Sequence, residues 1–158
     1  MLRRLLLPAL ALALLPTAAH AQTPEAAAVM APIHRLFDGM RAADTTMMRS
    51  AFHDGSTLLS VGLDREGTVT VRETPIDQFM TGVAQPHDEV YDERLGEPEI
   101  RIDGDLATVW VPYGFYLGDT FSHCGVNAFQ LARLHGDWVI IHTADSRRRD
   151  NCDPAVAP

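Results

Sequence analysis

The residues best suited to chemistry crowd into the last third of the chain. Cys124 and Cys152 are its two cysteines. Such a pair can close a disulfide, share a metal or leave a reactive thiol. Among and around them stand His123, Asn127, His142 and Asp145, then the run Arg147-Arg148-Arg149, with Tyr113 and Tyr116 just upstream. A histidine titrates near neutrality and moves a proton when a partner holds it in place. Asp145, flanked by apolar positions, reads either as a general base of raised proton affinity or as an acid paired to a neighbouring arginine. The second is the commoner arrangement. The two tyrosines, with His123, could donate to an oxyanion or simply pack. Guanidinium forks fit carboxylate or phosphate. Successive strand residues alternate in direction, however, so at most Arg147 and Arg149 serve one anion.

Other chemistries are disfavoured by what is missing. All 13 basic residues are arginine, so no lysine can form a Schiff base. There is no Gly-x-Ser-x-Gly elbow, phosphate-binding loop, Gly-x-Gly-x-x-Gly or His-Glu-x-x-His. That argues against serine hydrolases, nucleotide enzymes and zinc proteases, and no cofactor is expected. Without Cys-x-x-Cys or His-x-His a metal lacks its remaining ligands, so none is expected. The formal net charge of −8 argues against nucleic acid or an anionic membrane surface as partner.

These side chains need elements to position them. The chain opens with Arg3 and Arg4, an apolar run from Leu5 to Leu15, and Ala19-His20-Ala21. This is the three-part pattern of a secretory leader spanning 1–21, cleaved after Ala21, with an apolar run too short to cross a bilayer. Removing it leaves 137 residues of net charge −10, enough for one domain at 22–152 and a loose tail at 153–158. A periplasmic or secreted location favours a Cys124–Cys152 disulfide over the other two readings.

Thr23-Pro24-Glu25 starts a helix carrying Val29, Ile33, Leu36 and Met40, with Pro32 either kinking it or marking where order begins. Asp44 caps a second helix to about Phe52, which His53-Asp54-Gly55 ends as a turn. Strands follow at 56–62 and 68–72. Thr74-Pro75-Ile76-Asp77 then starts a third helix, with Ile76, Phe79, Met80 and Val83 on one face. From Val90 the chain reads as strand, with long strands at 99–102, 106–117, 126–134 and 138–144. Pro112 argues for a bulge or bend. Strongly curved, hairpin-linked strands with helices on one side make a cone with a pocket inside.

A two-residue turn at Gly136-Asp137 pairs His135 with Trp138, 131 with 142 and 129 with 144, and sets Cys124 opposite 149. Asn127, Phe129, Leu131, Trp138, Ile140 and His142 then share one face, and Gln130, Val139, Ile141, Thr143 and Asp145 the other.

The segments 52–58 (FHDGSTL) and 136–142 (GDWVIIH) resemble the nuclear transport factor 2-like, cystatin-like α+β superfamily. Residues 121–131 (FSHCGVNAFQL) with 144–152 (ADSRRRDNC) resemble its exported, lumazine-binding-type branch. The resemblance covers nearly all of the chain after residue 21. It implies an α+β fold, a cone-shaped curved antiparallel sheet with about three helices on its concave face, and a homodimer through the sheet's outer face. The superfamily holds isomerases, dehydratases and noncatalytic binding domains, and fold alone does not choose among them. The leading expectation is a noncatalytic exported module that binds a small, partly apolar ligand. Trp110, Phe129, Trp138 and His142 would line the pocket and Asn127 would anchor the ligand. The alternatives are a cofactor-free lyase or isomerase, with His142 or Asp145 as base and Tyr113 or Tyr116 as donor, and a dimerisation domain whose cone is filled.

Overall fold

The computed structural model describes residues 23–157. The expected leader and its cleavage point lie outside them. Helix α1 (Pro24–Arg41) is capped by the Thr23 hydroxyl, which accepts from the Ala26 N–H, and it runs unbroken through Pro32. Helix α2 (Thr45–Arg49) is capped by Asp44, whose carboxylate accepts from Met47 N–H at 2.9 Å. α2 is shorter than its pattern predicts. Ala51 O accepts from Ile140 N–H, which draws the chain into strand β1 (Phe52–Leu63), so His53-Asp54-Gly55 belongs to a strand and not to a turn.

After β1 come β2 (Val69–Thr74), α3 (Ile76–Ala84), β3 (Tyr91–Leu95), β4 (Glu99–Asp103), β5 (Leu106–Leu117), β6 (Thr120–Leu134) and β7 (Asp137–Ser146). Thr74 ends β2 instead of capping α3, whose cap position is Pro75 with no side-chain bond. Asp64 folds the β1–β2 turn by accepting from Glu66 N–H and Thr68 N–H, and Gly67 supplies its positive φ of 80°.

The seven strands form one curved sheet ordered β2-β1-β7-β6-β5-β3, with β4 also on β5. It is antiparallel at every joint but one, because β1 and β7 run parallel. Pro112 causes no break in the β5–β6 register. It sits where the outer partner of β5 changes from β4 to β3, and its carbonyl accepts from Gly96 N–H at 2.8 Å. A residue without a donor is cheapest at such a gap.

The helices lie on the concave face and close the core against it. Val29, Ile33 and Phe37 from α1, Met48 from α2, and Met80 from α3 meet Val109, Val111, Phe129, Leu131, Trp138 and Ile140 from the sheet. Phe37 meets Phe129 edge to face at 6.3 Å between ring centres. Arg133 lies over the Trp138 ring and pairs with Glu25, tying the start of α1 to the sheet. Among the described residues no helix is long and apolar enough to cross a membrane.

Two departures from the expected β6–β7 register matter for the site. The turn is His135-Gly136, with φ of 55° and 97°, so Leu134 faces Asp137. Two positive φ angles give the twist that a two-residue hairpin favours. A bulge at Ile141 follows: Leu131 faces Ile140, but Gln130 faces His142, Phe129 faces Thr143 and Asn127 faces Asp145. Trp138 and Ile140 therefore point to the concave side with Asn127, Phe129 and Leu131, as the alternation predicts. Beyond the bulge the faces exchange, so Thr143 and Asp145 turn inward and His142 outward.

Cys124 and Cys152 are bonded, with Cα atoms 5.8 Å apart. Cys124 also pairs through its backbone with Arg148, one residue from the expected 149. Residues 153–157, expected as a loose tail, turn back on the outer face. Val156 and Ala157 are buried, and Val156 O accepts from the Tyr116 hydroxyl. Gly114 makes that contact feasible, since a Cβ there would lie 2.0 Å from Val156 O.

Candidate functional site

Between α1, α3 and the concave sheet lies an open cavity of about 410 Å³. Leu36, Phe37 and Met40 of α1 form one wall, and Phe79 and Val83 of α3 another. The sheet supplies Leu58, Tyr91 and Phe115, and between these apolar side chains it presents Glu93, Asn127, His123, Asp145 and Arg147. An apolar bowl with a few convergent polar groups is the usual form of a small-molecule site.

Glu93 stands on β3 between Tyr91 and Leu95, two apolar neighbours on the same face. Its Oε1 accepts from Asn127 Nδ2 at 2.7 Å. Burial pushes its carboxyl up to about 8, with the Asp145 charge adding to the rise and the Asn127 bond and Arg147 opposing it. Glu93 is therefore largely protonated at neutral pH and can donate as well as accept. It is not among the residues singled out by type and spacing, although an acid inside a Tyr-x-Glu-x-Leu alternation marks a polar group facing an apolar space.

Asp145 accepts from the Ser60 hydroxyl at 2.5 Å through Oδ1. Its proton affinity is raised by burial, against the pull of Ser60, Arg147 and Arg72. Neither arginine comes within ion-pair distance, so the simple ion-pair reading of Asp145 does not describe its contacts among the described residues. His123 packs between Tyr113 and Phe115, with ring centres at 5.8 and 4.9 Å. Burial, then the charges of Arg147 and Arg149, lower its imidazole to about 4, so it is neutral at physiological pH.

Tyr113 also lines the cavity, but its hydroxyl already donates to Ser146 O at 3.0 Å. It crosses β6 above Gly125, where a Cβ would lie 2.7 Å from the tyrosine ring. Burial raises its phenol, and the charges of Glu93 and Asp145 raise it further. Tyr116 lies on the outer face with its hydroxyl spent on Val156 O, so the two tyrosines do face opposite ways.

The structure brings only part of the expected pocket together. Asn127 lines the cavity. Phe129 and Trp138 point to the same side but are buried deeper, in the core. Trp110 and His142 lie on the outer face, lining a second pocket with Glu99, Arg101 and Gln130 to which Phe129 also contributes, so three of the five expected residues meet there. There His142 Nδ1 is 2.5 Å from Thr57 Oγ1, and Trp110 is 54% exposed.

This arrangement, a helix-backed cone with an open concave cavity, can be set beside known proteins. The profile of the family described as "Putative lumazine-binding" matches residues 24–144. The chain belongs to this family. Solved structures agree on the fold. A nuclear transport factor 2-like protein of unknown function from Shewanella baltica is 20% identical, covers 80% of this chain and 95% of its own, and has a TM-score of 0.61. A cystatin-like-fold protein of unknown function from Nostoc punctiforme is 13% identical over 82% and 92%, with a TM-score of 0.60. A nuclear transport factor 2-like protein from Cytophaga hutchinsonii is 14% identical over 80% and 100%, with a TM-score of 0.62. At these identities the likeness is one of fold. No curated protein matches the chain. The lumazine-binding-like domain thus has the expected α+β cone, with one parallel joint the resemblance did not include.

Proposed function

We propose that this domain is exported and binds a small, partly apolar ligand in its concave cavity. The observation that carries this reading is the cavity itself: apolar walls from α1, α3 and the sheet around the bonded pair Glu93–Asn127. A protonated glutamic acid and an amide together offer donors and acceptors without a fixed charge, which suits a neutral polar edge on an apolar body. The Cys124–Cys152 bond fits an oxidising compartment. A thermal-shift screen of the chain without its first 21 residues against small metabolites tests the reading. A ligand that raises the melting temperature of wild type and of His142→Ala, but not of Asn127→Ala, is the expected result. Ligands that respond to His142→Ala alone would move the site to the outer face.

A catalytic reading is favoured by one observation. Asp145 is the only one of the four expected catalytic side chains that both faces the cavity and keeps a polar atom uncommitted in the contacts above. As a base of raised proton affinity it could move a proton on a bound molecule, with Glu93 donating in place of the occupied tyrosines. Asp145→Asn should then abolish turnover of a screened ligand while leaving its binding within about threefold, a change worth under 1 kcal/mol.

The outer face supports pairing of two copies. Leu63, Val69 and Val71 on the β1–β2 edge and Trp110 on β5 are all at least half exposed on that side. Sedimentation should find a dimer that Val71→Glu with Trp110→Glu converts to a folded monomer. A wild-type monomer at micromolar concentration would remove this part of the reading.

A further inference from the structure

The arginine run does more than end the last strand. Arg147 lines the cavity and also an adjoining pocket of about 650 Å³, shared with Ser122, Arg148, Arg149 and Asp150. With His123, which also lines both, it stands between the two spaces. The middle arginine also lines that adjoining pocket and makes two contacts of its own. Arg148 Nε donates to Asn151 O at 3.2 Å, and its Nη1 lies 3.5 Å from Ser146 Oγ. Arg147 and Arg149, two positions apart, both line that pocket, and both of their charges act on His123. The backbone pairing of Arg148 with Cys124, and the disulfide four residues further on, hold that spacing.

Some arginines are paired with acids and others, Arg35, Arg65, Arg72 and Arg101 among them, are in no ion pair among the described residues. Arg41, Arg49, Arg94 and Arg133 each meet an aspartate or glutamate. Among the described residues no carboxylate lies within ion-pair distance of Arg147 or Arg149, although the chain carries 21 acids. Instead Arg147 Nη2 stands 3.2 Å from His123 Nδ1, a ring nitrogen that can accept from it. Two like charges, Arg147 at the edge of the apolar cavity and Arg149 in the adjoining pocket, repel each other unless an anion lies between them. With Arg148 on the same pocket, the three arginines against Asp150 leave a surplus of two positive charges, which matches an anionic group, and the guanidinium fork matches a carboxylate.

We propose that the ligand of the cavity carries a carboxylate or like anionic group, which Arg147 and Arg149 hold where the cavity meets the adjoining pocket while its apolar body lies between the helices and the sheet. This rests on the small-ligand reading above and narrows it to amphipathic anions.

Two dyes separate the claims. N-phenyl-1-naphthylamine is neutral, and 8-anilinonaphthalene-1-sulfonate has the same rings plus one sulfonate. In fluorescence titrations the anionic dye should bind wild type about tenfold or more tightly than the neutral one, the gain expected from charge-assisted hydrogen bonds. Arg147→Gln with Arg149→Gln should erase that difference and leave the neutral dye unchanged, and excess acetate should weaken only the anionic dye on wild type. If the double variant does not fold, Arg149→Gln alone, at an exposed position, carries the same comparison. Equal binding of the two dyes by wild type, or a preference that survives the substitutions, overturns the anion site and leaves the cavity reading standing. Val83→Trp, which fills the cavity, should abolish binding of both dyes. Failure of both dyes on wild type, or binding that persists in Val83→Trp, overturns the cavity reading and the anion site with it.

Discussion

At the scale of single residues, the site's character comes from groups whose proton affinities burial has displaced in opposite senses. Glu93 holds its proton to about 8 in the fold, against 4.5 for an ordinary glutamate. Folding therefore binds a proton across that interval, and the stability it contributes is lost as pH rises from about 4.5 to about 8. Asp145 acts in the same direction. His123 acts in the other: its imidazole falls from 6.5 to about 4, so stability is lost as pH falls through that range. The slopes oppose each other below 6.5, and above it Glu93 acts without that opposition. The melting temperature of wild type should decline between pH 6.5 and 8, and Glu93→Gln should flatten that decline. Parallel curves for the two proteins would remove Glu93 as a buried titrating group. Of these residues His123 and Asp145 are visible in the sequence as reactive types, with their surroundings left open. Glu93 is hidden there because one acid among many carries no mark of its own, and only the face it shares with Tyr91 and Leu95 distinguishes it.

At the scale of elements, the helices and strands are largely legible because each carries its own period and punctuation. The Thr23 cap, the apolar spacing of α1, the Asp64–Gly67 turn and the valine- and aromatic-rich β5 all form from local preferences that agree with the fold. What is not legible is a single extra residue. Nothing in Trp138-Val139-Ile140-Ile141-His142 announces a bulge, yet it decides that Asp145 and not His142 enters the cavity. Such an irregularity is set by the neighbours on both sides of a strand, here β1 and β6, which are distant in sequence. The disulfide acts at the same scale, fastening the turn after β7 to the first third of β6. Cys124→Ser and Cys152→Ser should each lower stability by about 2–4 kcal/mol, and the double variant by little more, since either change opens the same loop. Denaturant unfolding of the three variants checks this, and additive losses would contradict a single shared bond. The same variants should weaken the preference for an anionic dye, because they free the segment that spaces Arg147 and Arg149.

At the scale of the whole molecule, the fold class follows from the order of elements, and the closing of the sheet does not. Sequence order suggests a meander in which each strand meets the next. The structure instead places the last strand in the middle, between β1 and β6. The contact of Thr57 with His142 joins residues 85 apart. Parallel joints of this kind need a long crossover and leave no local signature. A chain ended at Leu134 should therefore lack more than one strand. It should have no cooperative melting transition, where trimming residues 153–158 should leave one. A sharp transition in the shorter chain would show that the sheet can close without β7.

That central position also fixes the order of events in time. Until β7 has been made, the polypeptide owns the two flanks of a sheet and nothing to join them. It cannot commit early to its finished shape, and contacts that span most of its length must wait for the last strand and then form at the pace such distant encounters allow. A molecule arranged in this way remains open while β1 to β6 are made and locks only when residues 137–146 arrive.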